Sequence, residues 1–458
     1  MGDSVTALLR ATFEGGTTRN FTWRRSQLLA LETFLVEREK EIAAALHADF
    51  RKSAAETFLT ETGYLRSEIR FALKHLKSWM KPQRVAVPLI YQPATAYYRP
   101  EPYGVVLIIG AWNYPLNLTL APLINAIAAG NCAVVKPSEH APHTSAVIAS
   151  GFGDYLDRSA LCVVEGGVEE SRTLLEERFD YIFYTGSRMT GREVMHAAAK
   201  HLTPLTLELG GKCPCIVDGS GDLRVAARRI VWAKFLNAGQ TCIAPDYVLV
   251  EEQKEAELIR YMHEALADFY GDDPRSSPDF PRIGNAYNFL RLEKLLAGSV
   301  PSAGVFTDHG EFYIPPTILQ GSSMDSAFMQ SEIFGPLLPV IAYTGIEEAL
   351  SCIRREKAPL ALYLFSSVKS VQEKVLLHSR SGGVSINDLL FQASMHHLPF
   401  GGLGSSGFGA YHGRAGFDTF SFQRSILERS LYPDPALRYP PYSRLKFRLL
   451  KMLVTLFQ

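Results

Sequence analysis

Each shortage in this 458-residue sequence removes a class of protein. Cysteine is sparse: Cys132, Cys162, Cys213, Cys215, Cys242 and Cys352, with no disulfide-framework spacing. With a mixed, polar Met1 to Glu14 where a leader peptide would stand, this predicts free thiols in a reducing, cytoplasmic compartment. Net charge is absent too: 47 Lys and Arg balance 47 Asp and Glu, so nothing global points to nucleic acid. There is no internal repeat and no low-complexity segment. Cys213-Pro214-Cys215 is too close for metal-ligand spacing and lacks a His neighbour; it reads as a strand pair of small apolar side chains, and no metal is expected. What remains is ordinary globular material, 47% hydrophobic and 21% charged, enough for two or three structural units.

The order of elements predicts an α/β fold. Thr22 to Trp79 is helical by the spacing of Leu28, Leu31, Phe34 and Leu35, and Pro82 ends it. Val85 to Tyr98 reads as an extended excursion. Gly104 to Gly110 is an apolar run of strand length, followed by a helix to Ala129 and a strand at Cys132 to Pro137. That is the unit of a parallel sheet buried on both faces. Strands at Leu161–Val164, Tyr181–Tyr184 and Leu205–Leu209 alternate with helices, which predicts a doubly wound nucleotide-binding sheet. A second α/β series follows Gly211, with strands near Pro214–Val217, Tyr247–Val250, Leu338–Ile341, Leu362–Phe365 and Gly383–Ile386.

The chemistry concentrates in a few runs. In Asn237-Ala238-Gly239-Gln240-Thr241-Cys242, Gly239 lets backbone N–H groups approach the Cys242 thiol, and Ile243-Ala244-Pro245 is expected to open a helix whose N-terminus favours the thiolate. Glu208 ends an apolar strand before Gly210 and Gly211; in apolar surroundings its raised pKa suits base work, although read alone it is equally an exposed strand-end carboxylate. A nucleophile with a base is what a covalent two-step reaction needs. Asn113, after a buried strand, is either an oxyanion donor or a plain strand-to-helix turn. Gly186, Ser187 and Gly191 follow a strand and open a helix, a weak phosphate-binding pattern. Lys136 and Glu139 suit ribose hydroxyls, or else are surface charge. Glu332 and Phe334 combine a carboxylate, an aromatic and a turn. The glycine-rich Leu398 to Gly407 is no P-loop and reads as a loop near the site or an interface.

Seven runs, in this order, resemble the aldehyde dehydrogenase superfamily: Pro115-Leu-Asn-Leu, Lys136-Pro-Ser-Glu, Tyr184-Thr-Gly-Ser, Thr206-Leu-Glu-Leu-Gly-Gly-Lys, Asn237-Ala-Gly-Gln-Thr-Cys, Glu332-Ile-Phe-Gly-Pro and Pro399-Phe-Gly-Gly. Ala198 to Pro204, Ala244-Pro-Asp-Tyr and Tyr411-His-Gly are similar to its family 3 branch, dimeric enzymes of hydrophobic aldehydes. The resemblance implies Cys242 as nucleophile, Asn113 and the Cys242 backbone N–H as oxyanion donors, and Glu208 as the base for the hydrolytic water. It implies Glu332, Phe334, Lys136 and the Gly186 to Gly191 loop as the NAD site, with Glu332 also a conceivable base in this branch. NADP is an alternative cofactor that Glu139 disfavours and that Arg188, bulkier than usual for this loop, assists. Tyr64, Tyr114, Trp232 and Leu236 match tunnel positions and favour medium- or long-chain or aromatic aldehydes. It further implies a cofactor domain (1–82 and 104–209), a catalytic domain (210–397), a small β oligomerisation element (83–103 and 398–430) and a homodimer.

Residues 438–458 form a basic, apolar tail, too short for a span of roughly 20 residues but suited to an anionic membrane surface or to a partner subunit. Two other functions are compatible with the same fold. A coenzyme A-acylating relative typically lacks the base that stands here as Glu208. A non-catalytic structural protein on the same fold has no need of Cys242, Glu208 and Asn113 together.

Overall fold

The computed structural model describes residues 5–297, 306–355 and 358–457. Its strands are β1 (Gln83–Val85), β2 (Ala94–Pro102), β3 (Val105–Ile109), β4 (Cys132–Lys136), β5 (Leu161–Val163), β6 (Tyr181–Gly186), β7 (Leu205–Leu209), β8 (Pro214–Val217), β9 (Tyr247–Glu251), β10 (Thr317–Leu319), β11 (Leu337–Tyr343), β12 (Ala361–Phe365), β13 (Gly383–Ile386), β14 (Gly407–Phe408) and β15 (Ser421–Arg429).

The first sheet has the order β14-β7-β6-β3-β4-β5. β3 to β7 are parallel, and β3, β4 and β6 are buried almost throughout, as a sheet covered on both faces requires. The chain winds outward from β3 to β5, then returns to β6 and β7 on the other side. This leaves a crevice at the carboxyl ends of β3 and β6, where open α/β sheets bind ligands. The predicted doubly wound sheet is therefore present, with one addition. β14, from the segment read as a glycine-rich loop, pairs antiparallel with β7 so that Gly407 lies opposite Glu208. A two-residue strand between glycines carries no periodicity to read.

The second sheet, β10-β11-β9-β8-β12-β13, is wholly parallel, and β10 is an addition to the five expected strands. Cys213 stands just before β8 and Cys215 within it, both buried. The third sheet is antiparallel, β1-β2-β15, with β2 and β15 in register from Pro102↔Ser421 to Ala94↔Arg429. The extended excursion is interrupted by a short helical turn at Leu89–Tyr91.

The predicted helix from Thr22 to Trp79 is broken. Helices Phe21–Glu37 and Glu39–Phe50 meet at Arg38, and the chain turns at Arg51, which has φ 55°. A single turn, Ala54–Thr57, runs into a wide π-type turn, Phe58–Thr62, before the helix Gly63–Trp79. Lys52, Glu56 and Glu61 in this break are buried, and no helical surface pattern accommodates three buried charges. At the other end, Arg444–Phe457 is one basic, amphipathic helix packed against the Leu89–Tyr91 turn. Among the described residues no helix is long and apolar enough to cross a membrane.

Candidate active site

The helix Leu223–Phe235, capped by the Asp222 carboxylate, delivers the chain to the centre of the molecule. There three consecutive residues adopt left-handed conformations: Asn237 (φ 51°), Ala238 (φ 52°) and Gly239 (φ 75°). At Gly239 a Cβ would run into the Gly335 carbonyl, so only glycine fits. Buried amides hold the turn. Asn237 Nδ2 donates to the Asn113 carbonyl at 2.7 Å, and Gln240 Nε2 donates to the carbonyls of Asn237 (2.9 Å) and Arg282 (3.0 Å).

This turn presents Cys242, which keeps some exposure. The backbone N–H groups of Cys242 and Ile243 are directed at its sulfur. Burial pushes the thiol up to about 12, and the charges of Glu332 and Glu208 act in the same direction. The expected helix after Cys242 is not there. Asp246 N donates to the Cys213 carbonyl at 2.8 Å, which draws the chain alongside β8 and straight into β9. Anion support at the sulfur therefore comes from loop amides, without a helix dipole.

Glu208 sits near the end of β7 between Thr185 of β6 and Gly407 of β14, and it is 3% exposed. The alternative of an exposed strand-end carboxylate falls because β14 covers that edge. Neither carboxyl oxygen has a hydrogen-bond partner among the described residues, and burial pushes its pKa well above the ordinary range. The Tyr411 phenol lies close enough to feel the charges of both Glu208 and Cys242. Asn113 is buried, and its Nδ2 donates to the Gln240 carbonyl at 3.0 Å, two residues before the cysteine. Asn113, Glu208 and Cys242 thus converge, although they are far apart in sequence.

The groups expected at a cofactor lie along the crevice. Lys136 ends β4 and is 1% exposed, so it is no surface charge. Its Nζ donates to the carbonyls of Pro137 (2.9 Å) and Gly166 (2.6 Å), with Glu139 at 3.8 Å. Gly186 ends β6, and Ser187 caps the helix Arg188–Ala199 by accepting from Thr190 N. Gly191 lies one turn inside that helix, facing Leu209. Arg188 turns to the Gly210 carbonyl at 3.2 Å. The Glu332 carboxylate rests against Gly210, where a Cβ would collide with it, and accepts from the Gly211 backbone. Its pKa is pushed up to about 8 by burial first and by Asp246 second. Phe334 adopts φ 49° and meets Trp112 edge-on, with centroids 5.5 Å apart. This donor set has the chemistry that a dinucleotide needs. It offers a helix N-terminus for a pyrophosphate, an amine with one N–H left for a hydroxyl, and a carboxylate for a ribose.

Of the tunnel positions, Tyr114 donates or accepts across 2.6 Å to the Thr241 hydroxyl, directly before the cysteine. Trp232 stacks on Phe391 (centroids 5.6 Å, 19°), and Leu236 is half-buried at the end of the same helical segment. Tyr64 packs against His396 and His412. The sequence reading missed Glu56 and Glu61, which accept from backbone N–H groups on the two sides of the site, and Lys52, which donates to Glu61.

A model of the aldehyde dehydrogenase family matches residues 5–426. The chain belongs to the aldehyde dehydrogenase family. This aldehyde dehydrogenase is 47% identical to family 3 member B1 of Rattus norvegicus, over 96% of this chain and 95% of that protein. It is 47% identical to family 3 member H1 of Arabidopsis thaliana, over 97% of this chain and 93% of that one. Its fold superposes on the substrate-bound Staphylococcus aureus AldH with a TM-score of 0.95 at 41% identity, covering 98% of each chain. An NAD-dependent aldehyde dehydrogenase from Sinorhizobium meliloti aligns with a TM-score of 0.84 at 25% identity, over 94% of this chain and 87% of that one. The chain is accordingly an NAD(P)-dependent oxidoreductase acting on aldehydes.

Proposed function

We propose that this enzyme oxidises medium- or long-chain or aromatic aldehydes to free carboxylic acids through a covalent cycle on Cys242. The observation that carries the reading is the convergence of the Cys242 thiol, the Asn113 amide and the Glu208 carboxyl, which has no hydrogen-bond partner among the described residues, at one crevice. Cys242 releases its proton to solvent, and the thiolate sulfur adds to the carbonyl carbon, forming a thiohemiacetal whose former carbonyl oxygen carries the negative charge. The Asn113 amide and the Cys242 backbone N–H stabilise the oxyanion. Bound NAD(P)+ supplies the hydride acceptor. The thioester left on Cys242 is hydrolysed by a water that Glu208 deprotonates; the apolar surroundings that raise its proton affinity make the ionised carboxylate a strong base. Carboxylic acid leaves, and Cys242 regains its proton.

For the cofactor, Gly186, Ser187 and the packing at Gly191 form the pyrophosphate turn, Lys136 and Glu139 take the adenosine ribose, Glu332 takes the nicotinamide ribose, and Phe334 forms a wall. Tyr64, Tyr114, Trp232 and Leu236 line the aldehyde's approach, and their apolar bulk supports hydrophobic substrates. Residues 1–82 with 104–209 act as the cofactor domain and 210–397 as the catalytic domain. Residues 83–103 with 398–430, the third sheet among them, act as a homodimer element. Exposed Phe422 and Leu427 on β15 support that last assignment. The Arg444–Phe457 helix, with exposed Leu445, Phe447, Leu449 and Met452 among basic residues, contacts anionic membrane surfaces.

Two variants test the cycle. Cys242→Ala abolishes turnover while leaving cofactor affinity intact, and retained turnover rejects the nucleophile. Glu208→Gln slows thioester hydrolysis more than the first burst of NADH. An equal loss in both removes Glu208 from deacylation. Truncation after Pro441 releases the protein from anionic vesicles, and unchanged binding rejects the membrane contact.

A further inference from the structure

A single irregular turn reaches both halves of the active site. It begins at the Ser53 hydroxyl, which accepts from Glu56 N at 3.2 Å, and widens into the π-type turn Phe58–Thr62. Such turns insert a residue and redirect side chains, and they recur at functional sites. Here Glu56 and Glu61, five residues apart, both point inward, with 7% and 0% exposure.

Their partners are specific. Glu61 Oε2 accepts from Leu116 N and Asn117 N, each at 3.0 Å, at the start of the helix that follows Asn113. Asn117 Nδ2 returns a bond to the Thr60 carbonyl at 2.8 Å. Glu56 Oε1 accepts from Asn237 N at 2.9 Å, on the first of the three left-handed residues that lead to Cys242. One cation serves both carboxylates. The buried Lys52 Nζ donates to Glu61 Oε1 at 2.7 Å, sits 4.5 Å from the Tyr114 ring centroid, and its charge lowers the Glu56 pKa against burial. A bond from a buried backbone N–H to a carboxylate is strong and directional, and losing the acceptor leaves that N–H orphaned in the core.

We infer that Lys52, Glu56 and Glu61 form a buried positioning triad that sets the distance between the Asn113 amide and the Cys242 backbone N–H. The inference rests on the reading of those two groups as oxyanion donors. Glu61 fixes the backbone that carries Asn113, and Glu56 fixes the backbone that carries Cys242. The triad touches no reacting atom. It acts by keeping the two donors in register, and displacement by about 1 Å in such a constellation costs up to about a hundredfold in rate.

The test is the pre-steady-state burst of NADH with saturating NAD and benzaldehyde, on wild type, Glu56→Ala, Glu56→Asp, Glu56→Gln and Asn113→Ala. Gln keeps an oxygen acceptor at the same reach, whereas Asp keeps the charge but falls one methylene short of Asn237 N. The expected result is a burst slowed about tenfold or more in Glu56→Ala and Glu56→Asp, recovery to within about threefold of wild type in Glu56→Gln, and unchanged KM for NAD throughout. If Glu56→Ala fails to fold, Glu56→Asp against Glu56→Gln carries the same comparison. A wild-type burst in Glu56→Asp, or a Glu56→Gln burst as slow as that of Glu56→Asp, overturns the triad. Asn113→Ala separates this from the underlying reading: an unslowed burst there defeats the donor assignment itself. A slow Asn113→Ala beside a fast Glu56→Asp defeats the triad alone.

Discussion

Tyr114 and Thr241 share a buried hydroxyl-to-hydroxyl bond of 2.6 Å. One residue follows Asn113 and the other precedes Cys242, so this bond closes the seam between the loop after β3 and the loop after the helix Leu223–Phe235. Removing the phenolic oxygen leaves the Thr241 hydroxyl without that partner. Tyr114→Phe is expected to lower stability by about 1 kcal/mol and kcat several-fold. Thermal unfolding together with steady-state kinetics checks this, and an unchanged kcat assigns the bond to the fold alone.

Burial holds Cys242 as a thiol at neutral pH, with its pKa raised to about 12. The thiolate fraction then climbs tenfold for each unit of pH. Alkylation of the cofactor-free enzyme by iodoacetamide is expected to accelerate with a slope of one in log rate against pH from 6.5 to 9. A plateau below pH 9 contradicts this environment.

Buried carboxyls tilt the stability curve in the direction opposite to acid denaturation. Glu56 holds its proton up to about 7 in the folded chain, against 4.5 when free, because burial outweighs the help of Lys52. Between those values the folded state binds the additional proton, so stability falls as pH rises and the loss is complete above about 7. Glu332, raised to about 8, and Glu208 act in the same direction. Glu56→Gln removes one of these titrations. Its Tm relative to wild type is expected to rise by roughly a few degrees between pH 5 and pH 8. Parallel Tm curves for the two proteins rule this out.

Gly239 stands where a side chain meets the Gly335 carbonyl, next to the segment that carries Glu332 and Phe334. Gly239→Ala is expected to cost on the order of 1–3 kcal/mol and to push the cysteine turn away from that segment, raising KM for NAD as well as slowing hydride transfer. Denaturant unfolding and a KM measurement together decide it. Normal kinetics in a destabilised variant separate the two effects.

Much of the chain was readable because its signals are local. β3, β4 and β6 are continuous apolar runs, and Cys242, Glu208 and Asn113 stand in runs whose residue types suit their placement. The rest depends on contacts that sequence distance hides. Ile243-Ala244-Pro245 has the makings of a helix start, but the bond from Asp246 to Cys213 pulls the chain into β9. Lys52, Glu56 and Glu61 look like the solvated side of a helix, and their burial is decided by backbone groups at Leu116, Asn117 and Asn237. Lys136 reads as a surface charge until Gly166, thirty residues on, supplies its carbonyl.

Because Gly407 lies opposite Glu208, the edge of the first sheet is finished by a segment about 200 residues downstream. On a ribosome adding roughly 5–20 residues per second, β7 waits about 10–40 s for β14 to emerge. During that interval the sheet has an open, apolar flank and the carboxyl group has no lid. A growing chain therefore encloses Glu208 only once Gly407 and Phe408 have emerged, and chaperone capture of the nascent polypeptide should be heaviest between those two points.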